Sequence, residues 1–357
     1  MNKEKLTAWG FVMIFFILCI IPSAGMLFYH SELAENRTLS EKPVFWTEEG
    51  KWNRNFFDEL QTYVSEHFAF RGELVEADSL IKYQLLRTPS DDQVVIGKKG
   101  WLYFGQTLAD YAGVTLSDEE IDNIANTLAE VTQYVEHMGK QPLFVIVPNK
   151  NSIYPEYMPA RFGDKAERRN LTLLQQCMTD QEIPFVDAYQ LLLAHKDTEA
   201  LYLHEDTHWN YTGARLVLNE IYAAFGLSEQ YSLTGYTMEE NHEPDLYKIL
   251  FPSKEHFEAQ HIYKDNKPYD YVGRLHSLDD ITIRTTSSAQ NGESILVYRD
   301  SFGRAMIPFM GGSFSQAVFN RSTPYDLSLI EKTECNYVLF EIVERNLQDL
   351  GQIVVPK

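Results

Sequence analysis

From Ser117 onward the chain alternates short, continuously apolar segments with amphipathic ones, and this alternation restricts the fold more than any other feature. Leu143–Val147 stops at Pro148, Pro184–Val186 stops at Asp187, and Ser294–Tyr298, Gln316–Phe319 and Tyr337–Ile342 have the same character. Runs this short, with no polar alternation, suit strands buried on both faces. Between them, Ser117-Asp118-Glu119-Glu120 forms a capping box that opens a helix to about Met138. A second helix is expected over roughly Lys165–Asp180 and a third over Tyr211–Phe225, closed by Gly226. Strands that alternate with helices predict an α/β fold, a three-layer α/β/α arrangement around a mainly parallel sheet.

Upstream the pattern is different. Ala8–Tyr29 is apolar apart from Gly10, Pro22, Ser23 and Gly25, follows Lys3 and Lys5, and is long enough to cross ~30 Å of hydrocarbon. It is expected to be a single transmembrane helix, an uncleaved anchor with its lysines on the cytoplasmic side and the rest of the chain outside. Ser23-Ala24-Gly25 offers the small residues of a cleaved signal peptide, but the apolar run continues through Met26-Leu27-Phe28. Trp52–Leu86 carries apolar residues at helical spacing, among them Phe56, Leu60, Tyr63 and Phe70, and is read as a helical stalk or packing region. Val94–Phe104 is read as a hairpin about a glycine-containing turn. The expected organisation is a tip and anchor over 1–30, a helical region over 31–92, and an α/β catalytic domain over 93–357. A segment at about 228–290, rich in Tyr, His and charge, interrupts the alternation and is read as an insertion near the site.

Against 31 Lys and Arg stand 51 Asp and Glu, a net charge of -20 that opposes broad contact with phosphate backbones, so nucleic acid is not an expected partner. Cys19, Cys177 and Cys335 show no ligand spacing, and no metal site is expected. Cys177 and Cys335 are either small buried hydrophobes or, in an oxidising compartment, a disulfide.

In a parallel sheet, ligands gather outside the C-terminal strand ends, so polar residues just after apolar strands are the first candidates. Ser301 follows Ser294–Tyr298 and precedes Gly303, where a strand-to-helix turn would expose its hydroxyl and leave backbone N–H groups for an oxyanion. Taken alone, it reads equally well as a helix N-cap. Asp206-Thr207-His208 supplies what a serine needs to become a nucleophile: an imidazole to take its proton and a carboxylate to fix the tautomer. A structural His208, capping the helix that follows, is the other reading. His204 and Glu205 compete in the same loop, and His204-x-Asp206-x-His208 would be a metal cluster only with a further ligand at a strand end, which the sequence does not offer. Trp209, Tyr247, Tyr269 and Tyr271 are candidates for an aromatic platform under sugar rings.

The motifs together resemble the SGNH-hydrolase-like AlgX/AlgJ family, the alginate O-acetyltransferase group, in which a D-x-H motif precedes the serine in the chain. The resemblance rests on Glu35-Asn36-Arg37, Gly97–Tyr103, Val147-Pro148-Asn149-Lys150 through Tyr154-Pro155, Asp206–Asn210 and Asp300–Gly303. It implies Ser301 as nucleophile, His208 as general base and then acid, and Asp206 as the orienting carboxylate. The Ser301 N–H would be one oxyanion donor, with Asn149 and Lys150 as candidates for another. Glu341 and Arg345 also match the family pattern, as substrate ligands or, the favoured reading, as a salt bridge. The resemblance further implies an extracytoplasmic O-acetyltransferase at the cell membrane acting on a polysaccharide. No cofactor would be bound, and acetyl groups would come from acetyl-CoA through a multi-pass membrane-bound O-acyltransferase. The same triad with water as acceptor would make an acetylesterase. A non-catalytic polysaccharide-assembly scaffold is the reading outside enzymes.

Overall fold

The structure, a computed structural model, describes residues 3–25, 40–47, 50–67, 69–86, 88–113, 116–252, 254–289 and 292–356. They fall into two compact units, one of Met1–Asp92 with Tyr247–His256 and one of Gln93–Leu246 with Phe257–Lys357.

In the first unit, the apolar N-terminal run is helical over Lys3–Gly25 with Pro22 inside it. Among the described residues no helix is long and apolar enough to cross a membrane, so the expected transmembrane anchor is not supported. Residues 26–30, which would carry the run to Tyr29, lie outside the described residues, as does Glu35-Asn36-Arg37. The helical reading of the next region holds, as helices Phe56–His67 and Arg71–Ile81. Phe56 is buried there, its ring stacked 3.8 Å from that of Phe45. Tyr247 belongs to this unit, and its ring packs on those of Phe251 and His256 at 4.7 and 4.1 Å.

The second unit opens with the hairpin β1 (Val94–Ile96) and β2 (Leu102–Phe104). Gly97 is required at its turn, because a Cβ there would lie 2.7 Å from the Tyr157 carbonyl oxygen. The other strands are β3 (Gln141–Val147), β4 (Phe185–Val186), β5 (Thr237–His242), β6 (Glu258–Ile262), β7 (Asp270–Tyr271), β8 (Thr282–Thr286), β9 (Ser294–Tyr298), β10 (Gln316–Asn320) and β11 (Tyr337–Val343). Seven of them form one sheet in the order β4-β3-β11-β9-β10-β8-β7. The pairs from β4 to β10 are parallel, whereas β8 and β7 join antiparallel, so the sheet is mixed.

The antiparallel edge comes from the segment read as an insertion. β8 alternates buried and exposed residues, the pattern of a strand with one wet face, while β11 is buried throughout, as a central parallel strand must be. β5 and β6 form a separate two-stranded ribbon. The Ser117 capping box is present, and its helix runs Asp118–His137. The second helix begins later than its periodicity predicts, at Asn170, with Arg169 as N-cap. The third runs Tyr211–Ala224, capped by Asn210, whose side chain accepts from the Gly213 N–H at 3.0 Å. Cys177 and Cys335 are free thiols, not a disulfide.

Candidate active site

β3, β11 and β9 are neighbours, so the segments leaving their C-terminal ends lie side by side: Asn149-Lys150 after β3, Glu344-Arg345 after β11 and Asp300-Ser301 after β9. The Asp206-Thr207-His208 loop approaches this edge between the bridge partners Tyr202 and Trp209. His208 Nε2 lies 2.9 Å from Ser301 Oγ, and His208 Nδ1 lies 2.7 Å from Asp206 Oδ1. A carboxylate can only accept, so the neutral ring carries its proton on Nδ1 and presents the Nε2 lone pair to the serine hydroxyl. Burial opposes the imidazolium, but Asp206 outweighs it and holds His208 above its ordinary value. Burial likewise works against the Asp206 carboxylate, yet His208 and His242 hold it well below the usual range.

The turn that carries Ser301 is fixed from behind. Asp300 accepts from the Phe302 N–H and the Val343 N–H, each at 2.8 Å, tying the turn to the end of β11. The Asp300 N–H donates to Glu341 Oε2 at 3.1 Å. Gly303 is demanded here, because a Cβ would stand 2.7 Å from that same oxygen and 2.6 Å from Arg299 Cβ. Ser301 itself has φ -69° and ψ -25°, ordinary helical values, so its exposure involves no backbone strain. Its N–H has no acceptor among the described residues and is open to an oxyanion.

Other expected site residues have different positions. Asn149 turns away from the serine: its N–H donates to Glu344 Oε2 at 2.8 Å and its side chain to Asp110 Oδ2 at 3.1 Å. Lys150 is buried, and its Nζ donates to the carbonyls of Leu203, His204 and Asp206 at 3.0, 2.9 and 2.5 Å, so its donors are consumed by the loop. Burial pulls Lys150 down to about 8 against the attraction of Glu258, Asp206 and Asp245.

Trp209 is 1% exposed and donates from Nε1 to the Phe302 carbonyl at 2.9 Å, a strut between the two halves of the site and not a sugar platform. Glu341 and Arg345 do not pair with each other. Glu341 is fully buried, and burial with Asp300 beside it pushes its carboxyl well above the usual range. Arg345 lies over the Phe302 and Phe104 rings, at 5.3 and 5.4 Å. His204 faces the Trp101 ring at 4.4 Å, away from the serine. Tyr269 and Tyr271 meet edge to face at 5.3 Å, with their hydroxyls 3.1 Å apart.

His242 and Asp245 are brought into the site without having been expected there. His242 Nε2 donates to Asp206 Oδ2 at 2.8 Å and the Asp245 N–H donates to the same oxygen at 2.9 Å, across 36 and 39 residues of sequence. The Asp245 carboxylate accepts from the Thr207 N–H at 2.7 Å and reaches to 3.6 Å from His208 Nδ1. Asp206, His208 and Asp245 offer ligand atoms within 4.8 Å of one another, so the further metal donor that the sequence did not show does exist in space. Their mutual hydrogen bonds account for the cluster, with the Nδ1 proton directed at Asp206. A cleft of about 550 Å³ opens over the group, walled by Tyr211, Asn241, His242, Gln260 and Arg304 and reaching Ser301 and His208.

Residues 94–246 match the family described as SGNH hydrolase-like domain, acetyltransferase AlgX. The matched stretch includes Asp206, His208, His242 and Asp245 and stops short of Ser301. A probable alginate O-acetylase AlgJ of Pseudomonas syringae pv. tomato is 27% identical over 180 residues, 49% of this chain and 43% of the relative. The chain thus spans less than half the length of that relative. Among solved structures, Bacillus cereus PatB1 with a sulfonyl adduct is similar with a TM-score of 0.55 at 19% identity, over 72% of this chain and 97% of the other. A DHHW family protein from Eubacterium siraeum gives a TM-score of 0.50 at 17% identity, over 66% and 90%. At such identities these structures share the fold.

Proposed function

We propose, from the match of residues 94–246 to the AlgX-type SGNH hydrolase-like family, that the protein is a serine-dependent O-acetyltransferase with a polysaccharide as acceptor. The observation that carries this reading is the His208 ring between Asp206 and Ser301, at 2.7 and 2.9 Å. In the first half-reaction Ser301 Oγ attacks the acetyl carbonyl of the donor while His208 Nε2 takes the hydroxyl proton. The Ser301 N–H donates to the oxyanion, the donor's oxygen leaves with the proton returned by His208, and an acetyl-serine results. In the second, His208 takes the proton of a sugar hydroxyl as that oxygen attacks the acetyl-serine, then returns it to Ser301 Oγ. Asp206 stays ionised throughout and stabilises the imidazolium.

The acetyl group arrives on a carrier, with acetyl-CoA as its origin and a multi-pass membrane acyltransferase as its deliverer, and the reaction takes place outside the cytoplasm. The cleft wall, with Tyr211, Asn241, Gln260 and Arg304, suits a polyhydroxylated acceptor better than an apolar one. Incubating the protein with a chromogenic acetyl ester and oligosaccharides tests the reading: acetylated sugar is expected. Hydrolysis unaffected by any acceptor would make the protein an esterase, and full acetylation by Ser301→Ala would end the catalytic reading.

A further inference from the structure

The β5–β6 ribbon and the residues just after β5 hold the 204–208 loop at three places. On β6, Glu258 accepts from the His204 N–H and, at 3.0 Å, from the Glu205 N–H. Beyond β5, Asp245 accepts from the Thr207 N–H, and on β5 His242 reaches Asp206. The ribbon's register slips between Glu240 and His242, so His242 sits where the pairing is irregular. Irregularities of this kind re-aim a side chain and gather next to active sites.

A carboxylate has about four acceptor positions, and each one on Asp206 is filled. Oδ1 takes the His208 N–H at 2.8 Å and Nδ1–H at 2.7 Å, while Oδ2 takes the Asp245 N–H at 2.9 Å and His242 Nε2–H at 2.8 Å. We infer that His242 is a positioning residue of the acyl-transfer site, holding Asp206 Oδ2 so that Oδ1 alone faces His208. This rests on the triad reading above. The ionisable groups around the Asp206–His208–His242 cluster are Asp245 after β5, the adjacent Glu243, Glu258 on β6, Lys150 after β3 and Arg345 after β11.

Asp206 is 2% exposed, so an oxygen deprived of its donor gains little from water. The carboxylate then becomes more basic, draws the Nδ1 proton more strongly and favours the imidazolium, raising the pH at which His208 becomes a free base. The test compares the full chain with His242→Leu, which fills the space without a donor, and His242→Gln, whose amide N–H reaches the same oxygen. For His242→Leu, kcat/KM for an acetyl ester is expected to fall about tenfold to a hundredfold. Its acidic limb is expected to move up by about one pH unit.

The low-field Nδ1–H proton resonance of His208 should shift its titration midpoint in the same direction, a readout that needs no substrate. His242→Gln should keep both midpoints near those of the unaltered protein. Unchanged midpoints in His242→Leu, or displaced ones in His242→Gln, overturn the inference. An unaltered protein without ester activity whose resonance still responds to His242→Leu would instead count against acyl transfer.

Discussion

The turns after β3 and β9 begin alike and end in opposite chemistry. Each leaves a buried parallel strand with polar residues, Asn149-Lys150 in one and Asp300-Ser301 in the other, and each opens a helical turn. After β3 the polar side chains are drawn into contacts inside the protein. Asn149 joins Asp110 and Glu344, Ser152 donates to Glu344 at 2.6 Å, and Arg169 pairs with Glu344 at 2.5 Å where both side chains are buried. After β9, Asp300 absorbs the structural demands, and among the described residues the Ser301 hydroxyl bonds an imidazole alone. A strand end becomes a reactive site when a neighbouring residue relieves its polar group of holding the chain together.

Ser301→Ala should break the contrast most sharply, lowering acetyl transfer by about a thousandfold or more while leaving the melting temperature near that of the unaltered protein. Asn149→Ala should do the reverse, costing about 1–3 kcal/mol by denaturant titration with transfer nearly unchanged. Glu344→Ala leaves Arg169 charged, buried and unpaired, and about 3–5 kcal/mol of stability should be lost. Lys150→Met removes three bonds to the loop carbonyls. It should cost stability of about 2–3 kcal/mol and lower kcat more than it raises KM, since the loop carries His208.

Trp209→Phe, which deletes one indole hydrogen bond, should cost about 1 kcal/mol. The smallest effect concerns pH. Because Asp206 holds His208 above its ordinary value, the acidic limb of kcat/KM should lie above about pH 6.5, with activity lost as His208 gains its proton. A limb below that value would mean the carboxylate does not govern the imidazole.

The sequence made the parallel strands, the main helices and the Asp206-His208-Ser301 pairing legible, because buried parallel strands are continuous apolar runs and their polar successors stand out. It left the direction of Asn149 and Lys150 open. A lysine after a strand has the same letters whether it meets substrate or a carbonyl cage, and only the return of the 203–206 backbone decides between them. His242 and Asp245 were illegible for another reason. They lie in a polar segment with no period to read, and an irregular ribbon, not a strand end, carries them to Asp206. The outer strands β7 and β8 were hidden in that same segment. The apolar length of the N-terminal run suggested a membrane span that no helix among the described residues provides.

In the sheet, β11 lies between β3 and β9, yet in the chain it comes after both. The imidazole is therefore made 93 residues before its serine. The serine turn still lacks its Val343 and Glu341 anchors until the last strand slots into the middle. A ribosome-bound or clipped chain that ends before Tyr337 holds every atom of the triad but has no frame to align them. The strand at the centre of the sheet thus acts as a keystone for the turn that carries Ser301.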